Sequence, residues 1–470
     1  MKSKVSVCLL FFTMLMVGPA NAQRKGRVAL WLTTADRESL FTPQDAPLHF
    51  LKSAPSSLPV IEVNDKQTYQ TMDGFGFALT GGSAQLLMRM SASHRADLLQ
   101  ELFGTKDKDI GISYLRVSIG SSDMNDHAFT YDDVSQGQTD LDISHFDLGP
   151  DRTSVLPALR EILAINPSIK ILGSPWSAPA WMKTNDDLKG GSLKPDYYDV
   201  YARYLVRYIE EMKAAGVVID AITPQNEPLN PKNTPSMVMQ AEEETRFIGL
   251  SLGPAFRKAS ITTKILSYDH NCDRPDYPLT ILANPDARQY VDGSAFHLYG
   301  GRITALTQVH DAYPDNNVYF TEQMVVDHRG TTNLEIARPV ENLIIGAPSN
   351  WSRNVLLWNL AADPDFGPHT DNGGCPVCEG AITIDTDKVT RNAGYYTIAH
   401  ASKFVRPGSR RVASSTVSGL PNVAFLTPDK RRVLIVTNPG ESPQNFRILY
   451  RGKSVTTTLS SGAVGTYLWR

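Results

Sequence analysis

Two glutamates each come shortly after an apolar run that is typical of a buried β-strand. Glu227 follows the run 221–224, and Glu322 follows the run 318–321. Two carboxyl groups can share the hydrolysis of a glycosidic bond, one protonating the leaving oxygen while the other attacks the carbon. A lone glutamate at a strand end is more often part of a structural ion pair, so this prediction depends on the two strand ends meeting.

Aromatic and hydrogen-bonding residues follow the other runs of the same kind. The aromatic residues can stack on the C–H face of a sugar ring, and the polar residues can bind its hydroxyl groups. This mixture favours a neutral carbohydrate. Trp181 and Trp176 could instead be core residues, and His297 could be a hydrogen-bonded core histidine. The candidate residues are Trp176, Trp181, Tyr299, Trp358, Asp123, Asn226 and His297.

Arg116 lies inside another of these apolar runs, where a charged residue needs a partner. A guanidinium group lowers the pKa of a neighbouring carboxyl group. We therefore expect Arg116 to hold a catalytic carboxylate in its ionised form.

Eight short apolar runs alternate with helical patterns, which predicts an α/β fold of the (β/α)8 TIM-barrel type. Active sites of such barrels lie at the carboxyl ends of the strands. The alternative, an open doubly wound sheet, would carry a glycine-rich phosphate loop after the first strand, and none is present. The runs begin near residues 74, 114, 170, 221, 264, 293, 318 and 355, and helices are predicted over 91–103, 155–165, 196–215, 242–258 and 333–346.

The two ends of the chain differ from this central part. Six strand-like segments follow residue 411, and two more, 27–33 and 60–64, precede the barrel. We expect the front strands to pair with this all-β tail. The predicted organisation is a signal peptide over 1–22, N-terminal strands over 23–65, a catalytic barrel over 66–402 and a β-domain over 403–470.

The first residues are typical of a signal peptide. Lys2 and Lys4 precede the apolar run 5–17, and Ala20-Asn21-Ala22 is a cleavage site that places the mature start at Gln23. The run is too short to span a bilayer, although a membrane anchor is the alternative. Cys8 lies inside the run, which argues against a lipoprotein. We therefore expect an exported protein, periplasmic or extracellular, without stable membrane insertion.

The charge balance excludes several classes of partner. Lys and Arg number 46 against 49 Asp and Glu, with no basic cluster, so nucleic acid is not an expected partner. Nothing in the sequence indicates the oligomeric state. The histidines are scattered without the spacing of metal ligands, and no Gly-x-Ser-x-Gly elbow of a serine hydrolase occurs. We expect no cofactor and no catalytic metal.

Cys375 and Cys378 form a C-x-x-C motif. Zinc would require further ligands at matching spacing, which the chain lacks. Export favours a small disulfide, with Cys272 left free. We expect this pair to be structural and peripheral to the site, so that mild reductant leaves activity unchanged.

Seven segments together resemble glycoside hydrolase family 30, which includes the glucosylceramidases. They include Asn226-Glu227-Pro228, Leu115-Arg116-Val117 and Phe320-Thr321-Glu322, and the resemblance extends from about residue 60 to the C-terminus. It implies a retaining mechanism with Glu227 as acid/base and Glu322 as nucleophile. It also implies that the tail and front strands form a β-sandwich on the barrel. The implied glucose-binding residues are Asp123, Trp176, Asn226, His297, Tyr299 and Trp358.

The segments 373–380 and 30–34 are more similar to the microbial branch that includes endo-β-1,6-glucanases. The expected substrate is therefore β-1,6-glucan, with glucosylceramide or another β-glycoside as the alternative. A non-catalytic sugar-binding protein would not need the paired glutamates. Glu322 should be ionised in the free enzyme, and Glu227 should be protonated because a second carboxyl beside a carboxylate resists ionisation.

Overall fold

The central part of the chain closes into a barrel of eight parallel strands, as predicted. The computed structural model describes residues 26–46, 48–326 and 333–470, so the predicted signal peptide lies outside the described residues. Both faces of the strands are covered, and the second strand is buried throughout. This burial explains why the strands are continuous apolar runs rather than alternating ones. The strands are Gly74–Ala78, Tyr114–Ile119, Lys170–Pro175, Ala221–Ile222, Lys264–Cys272, Val291–Gly301, Asn317–Glu322 and Ser352–Asn359.

Helices connect the strands and cover the barrel. Several of them were not predicted, among them Gly81–Arg89, where two glycines at the start disfavour a helix. The side chain of Thr80 caps this helix by accepting a hydrogen bond from the backbone N–H of Ser83. The α-helices are Gly81–Arg89, Ala92–Phe103, Val155–Ile165, Tyr198–Ala214, Ala241–Phe247, Gly253–Lys258, Asp276–Ala283, Pro285–Arg288, Ala305–Ala312, Ala337–Pro339, Gly346–Ser349 and Ala393–Ser402.

Two of the predicted helices contain a π-helical segment. Ile248–Leu252 joins two α-helical pieces, and Val340–Ile345 does the same in the last predicted barrel helix. That last helix begins at Ala337, later than the predicted residue 333. None of the helices that the structure describes is long and apolar enough to cross a membrane.

The front strands and the tail form a β-sandwich beside the barrel, as predicted. Val60–Thr71 pairs with Arg410–Ser414 in antiparallel fashion and with Gln444–Tyr450 in parallel, so it belongs to both layers. This strand continues past residue 65, where the domain junction was expected, because its pairing with Arg410 extends to Thr71. The other strands are Arg27–Thr33, Thr42–Pro43, Leu48–His49, Leu51–Lys52, Asn422–Leu426, Arg432–Thr437, Lys453–Leu459 and Val464–Trp469.

A small three-stranded sheet follows the last barrel strand. Its strands are Ala361–Ala362, Ile382–Asp385 and Lys388–Arg391, and the helix Ala393–Ser402 comes next. The segment between the first two of these strands is long and carries Cys375 and Cys378. The sheet thus fixes both ends of a loop that starts at the carboxyl edge of the barrel.

Candidate active site

The ends of the fourth and seventh strands meet across the mouth of the barrel, as the sequence required. One oxygen of Glu227, one oxygen of Glu322 and a ring nitrogen of His297 all lie within 4.8 Å of one another. Both glutamates line a cavity of about 330 Å³. The cavity is also lined by Asp123, Trp176, Asn226, Asn233, Tyr299, Met324, Trp358, Gly373, Gly374, Cys375, Pro376 and Cys378.

Both carboxylate oxygens of Glu322 are held by donors. Arg116 donates through Nη1 to Oε2 at 2.5 Å, and the hydroxyl of Tyr299 donates to Oε1 at 3.0 Å. Arg116 is fully buried, and its guanidinium lies over the ring of Trp176 at 4.8 Å from the centroid. These contacts fix the direction of the carboxylate and place a permanent positive charge beside it, as was expected of Arg116.

Arg116 and His297 share a second partner, Asp269, which the sequence analysis missed. The side chain of Asp269 is fully buried and accepts hydrogen bonds from five side chains. Arg116 Nη2 donates to its Oδ2 at 2.7 Å, and His297 Nε2 donates to its Oδ1 at 3.0 Å. The other donors are the hydroxyls of Ser174, Thr223 and Thr321.

A bulge in the fifth strand turns Asp269 inward. Tyr268 pairs with Ala295 and His270 pairs with Phe296, which leaves Asp269 as the extra residue. Asp269 has φ of 60°, a left-handed conformation that is uncommon for a residue other than glycine. The signal was present in the sequence, because Asp269 follows the run 264–267 in the same way that Glu322 follows its own strand.

Glu227 is held by a different set of neighbours. Its φ of 44° is also left-handed, and Asn230 donates to its Oε2 at 2.7 Å. His297 Nδ1 lies 3.4 Å from Oε1, and His270 Nε2 lies 4.0 Å from the same oxygen. Asn230 and His270 were not predicted, because each depends on a loop or bulge whose path the sequence does not specify.

The ionisation order of the two glutamates differs from the prediction. The two buried carboxylates Glu322 and Asp269 raise the pKa of His297 to about 9 despite its burial, so this imidazole is cationic. Burial by itself would raise the pKa of Glu227. The neighbouring imidazolium of His297 has the larger, opposite effect, so the pKa is lowered to about 2. Burial raises the pKa of Glu322 above its ordinary value. The direction of the shift at Glu227 is therefore opposite to the predicted one, because His297 favours the ionised form of this carboxyl group.

The remaining predicted residues line the floor and walls of the cavity. The rings of Trp176 and Trp358 lie 5.4 Å apart between centroids, and Asn226 accepts from Arg116 at 2.7 Å. Asp123 is buried, and this burial together with Glu322 and Glu227 raises its pKa to about 8. Oδ1 of Asp123 and Nε1 of Trp176 are buried without a hydrogen-bond partner among the described residues. Sugar hydroxyl groups would satisfy both atoms.

Trp181 is the one aromatic candidate that the structure places elsewhere. It packs in the main core, and its Nε1 donates to the backbone oxygen of Asp132. Its role is therefore to fix the loop after the third strand, and it does not line the cavity.

Cys375 and Cys378 are joined as a disulfide in the structure. Both residues line the cavity, and Cys378 packs against Trp176 and Trp358. The expectation that this pair is peripheral is therefore wrong. The loop from the eighth strand folds back over the barrel mouth, which the sequence spacing alone did not indicate. Cys272 is free and buried.

Two groups of side chains among the described residues bring potential metal ligands together. In the first, Glu227, His297 and Glu322, the cationic imidazole already supplies the positive charge between the carboxylates. In the second, Asp132, Asp140 and His145, burial and the neighbouring Asp140 raise the pKa of Asp132 to about 7. A proton on Asp132 therefore accounts for the close approach of these two acids.

Comparisons with known proteins agree with this architecture. A family model described as the glycosyl hydrolase family 30 TIM-barrel domain matches residues 72–405. A second, the glycosyl hydrolase family 30 beta sandwich domain, matches residues 408–467.

Individual relatives fall into two groups. An endo-1,6-beta-D-glucanase of Neurospora crassa is 37% identical over 388 residues, which is 78% of this chain and 79% of that protein. The solved structure of an endo-beta1,6-glucanase is 35% identical with a TM-score of 0.86, covering 94% of this chain and 99% of that one. The lysosomal acid glucosylceramidase of Mus musculus is 27% identical over 443 residues, 87% of this chain and 83% of that protein.

Proposed function

The chain belongs to glycosyl hydrolase family 30 and is a glycoside hydrolase, and from this premise we propose that it is a retaining endo-β-1,6-glucanase. Glu322 is the nucleophile and Glu227 the acid/base. Asp123, Trp176, Asn226, His297, Tyr299 and Trp358 bind the glucose unit that is transferred, and Arg116 holds Glu322.

The observation that carries the mechanism is the short separation of the two glutamates. Their nearest oxygens lie within 4.8 Å. Retaining enzymes place the two carboxyl groups about 5–5.5 Å apart, whereas inverting enzymes need about 6.5–9.5 Å to admit a water between carboxylate and sugar. The spacing supports direct attack by Glu322 on the anomeric carbon, with departure of an alcohol that Glu227 protonates.

The proton reaches the leaving group through His297. In the free site it resides on the imidazole, whose Nδ1 lies 3.4 Å from Oε1 of Glu227. Transfer to Glu227 leaves a neutral imidazole that still donates from Nε2 to Asp269. Once Glu322 is esterified its negative charge is lost, so Glu227 can accept a proton from the attacking water in the second step.

The proposed substrate rests on the relatives and on the cavity. The two endo-β-1,6-glucanases described above are 35% and 37% identical to this chain in the aligned regions, and the mouse glucosylceramidase is 27% identical. The cavity combines two tryptophan rings with hydrogen-bonding groups, which suits a neutral glucosyl unit. A β-1,6-glucan is therefore favoured over a lipid glucoside.

The test is a comparison of β-1,6-glucan, β-1,3-glucan and glucosylceramide in parallel, with product sizes measured over time. We expect rapid appearance of a series of oligosaccharides from β-1,6-glucan and little product from the other two. Release of glucose alone would contradict endo action. Preferred cleavage of glucosylceramide would indicate instead that the chain acts as a glucosylceramidase.

Export also belongs to this proposal and rests on residues 1–22 of the sequence. An extracellular or periplasmic location would place the enzyme where polymeric glucan is available. N-terminal sequencing of the mature protein should begin at Gln23, and a chain that retains Met1 would contradict export by cleavage.

A further inference from the structure

The loop that carries the disulfide forms one wall of the cavity. Gly373, Gly374, Cys375 and Pro376 all line it. The backbone oxygens of Asn372 and Gly373 accept hydrogen bonds from Thr234, at 2.6 Å from its hydroxyl and 3.3 Å from its N–H. This wall is therefore attached to the segment that follows Glu227 in the chain.

The same segment holds the carboxyl group of Glu227. Asn230 donates to Oε2 at 2.7 Å, and Asn233 lies at 3.5 Å from the same oxygen and also lines the cavity. An acid/base residue must face the oxygen of the departing group. The group that departs therefore lies next to Asn233 and the disulfide loop, while the retained glucose lies over the two tryptophans.

A close backbone approach keeps the wall in this position. A Cβ on Gly373 would lie 2.7 Å from the backbone oxygen of Lys232, and Gly373 has φ of 127°. The amine of Lys189 adds a hydrogen bond of 2.7 Å to the backbone oxygen of Asn372. Closer to Cys378, the disulfide is a further constraint on the wall.

Both cysteines pack against one apolar cluster, but they differ in burial. Cys378 is buried in a cluster with Trp176 and Trp358, which form the floor for the retained glucose. Cys375 is only half-buried, and Val377 between them is 58% exposed. The disulfide thus ties a partly exposed wall to a buried residue of the floor.

We propose that the Gly373–Cys378 loop is the subsite for the leaving group and that the Cys375–Cys378 disulfide is a specificity-determining element. The ligand of this subsite is a second glucosyl unit of a β-linked glucan, which can pack against Pro376 and bond to the backbone of the glycines. This inference rests on the proposed function.

The test compares two substrates in a Cys375→Ser/Cys378→Ser double variant. With gentiotriose, a β-1,6-linked glucose trimer, kcat/KM should fall about tenfold, the loss expected when contacts worth about 1.4 kcal/mol disappear. With 4-nitrophenyl β-glucoside, kcat/KM should fall less, because an activated phenolate needs little help to depart. The ratio of the two kcat/KM values, which cancels any effect on the retained glucose, should therefore decrease. An equal fall with both substrates, or no fall with gentiotriose, would overturn the inference.

Reductant on the wild-type enzyme gives the same comparison without a substitution. Dithiothreitol should lower the kcat/KM of the wild type more with gentiotriose than with 4-nitrophenyl β-glucoside, and the kcat/KM values of the double variant should not change. Cys272→Ser is the matched control, and this variant should remain as sensitive to reductant as the wild type. A wild-type enzyme that cleaves neither substrate would contradict the proposed function rather than the role of the disulfide.

Discussion

Nδ1 of His297 lies 3.4 Å from Oε1 of Glu227, and this contact determines where the proton of the free site resides. The imidazole is fully buried, and its other nitrogen donates to Asp269. Because two buried carboxylates, Glu322 and Asp269, raise the pKa of His297 to about 9, the ring remains cationic across the neutral range. Its charge favours the ionised form of both glutamates, although burial keeps the pKa of Glu322 above its ordinary value.

The first prediction concerns the pH dependence of the stability. A histidine whose pKa is raised on folding stabilises the fold below its unfolded pKa of about 6.5, and the contribution is lost as the pH rises through the folded value. The folded value is about 9. The loss of unfolding free energy in His297→Asn should therefore be largest below neutral pH and should shrink toward alkaline pH. Denaturant unfolding across this range measures it.

His400 is the matched control for this experiment. It is also fully buried and hydrogen-bonded, but burial lowers its pKa to about 3, so it is neutral in the native state. The loss of stability in His400→Asn should be constant between about pH 8 and about pH 9.5, because the histidine is neutral in both the folded and the unfolded state there. If the loss of stability depended on pH in the same way in both variants, the cationic state of His297 would be contradicted.

The second prediction concerns the pH profile of catalysis in the same variant. Removal of the imidazolium charge should raise the pKa of Glu227 and of Glu322, since it lowers both in the native site. The acid limb of kcat/KM, which reports the free enzyme, should therefore move to higher pH in His297→Asn. An acid limb at the wild-type position would show that His297 does not control these carboxyl groups.

The third prediction is that Glu322→Gln nearly abolishes turnover, by at least about a thousandfold, because an amide cannot form the glycosyl ester. Initial rates on β-1,6-glucan measure it. Glu101→Gln provides the control, since Glu101 is a partly buried, ion-paired glutamate outside the cavity. Its kcat should remain near that of the wild type. Substantial activity in Glu322→Gln would exclude Glu322 as the nucleophile.

The fourth prediction distinguishes the acid/base from the nucleophile. Glu227→Ala should still form the glycosyl ester from an aryl glucoside, because the leaving group is already a weak base. Breakdown of the ester lacks its general base, so added azide should restore turnover and yield a β-glucosyl azide. Azide should have no such effect on Glu322→Gln. An α-azide product, or no rescue, would contradict the role of Glu227.

The fifth prediction is stereochemical. The nearest oxygens of Glu227 and Glu322 lie within 4.8 Å, which is shorter than the separation of about 6.5–9.5 Å that inverting enzymes need. Proton NMR during the first turnovers of a β-glucoside should therefore show the β-anomer before mutarotation. An initial α-anomer would indicate inversion and would remove Glu322 as the nucleophile.

The sequence by itself determined the barrel and the pair of glutamates. Parallel strands covered on both faces are continuous apolar runs, so their number and order were visible, and the residue after each run marks the carboxyl edge. Glu227 and Glu322 were found in this way. Asp269 could have been found by the same rule, because it follows the fifth run as the glutamates follow theirs.

Only the tertiary structure decided how the proton is distributed and what lies beside the leaving group. The ionisation of Glu227 depends on its distance from His297 and on the burial of both, and neither quantity is contained in sequence spacing. The loop with Cys375 and Cys378 was expected at the periphery, yet it lines the cavity. Its position follows from contacts with Thr234 and Trp176, which are remote in the chain, so local pattern could not specify it.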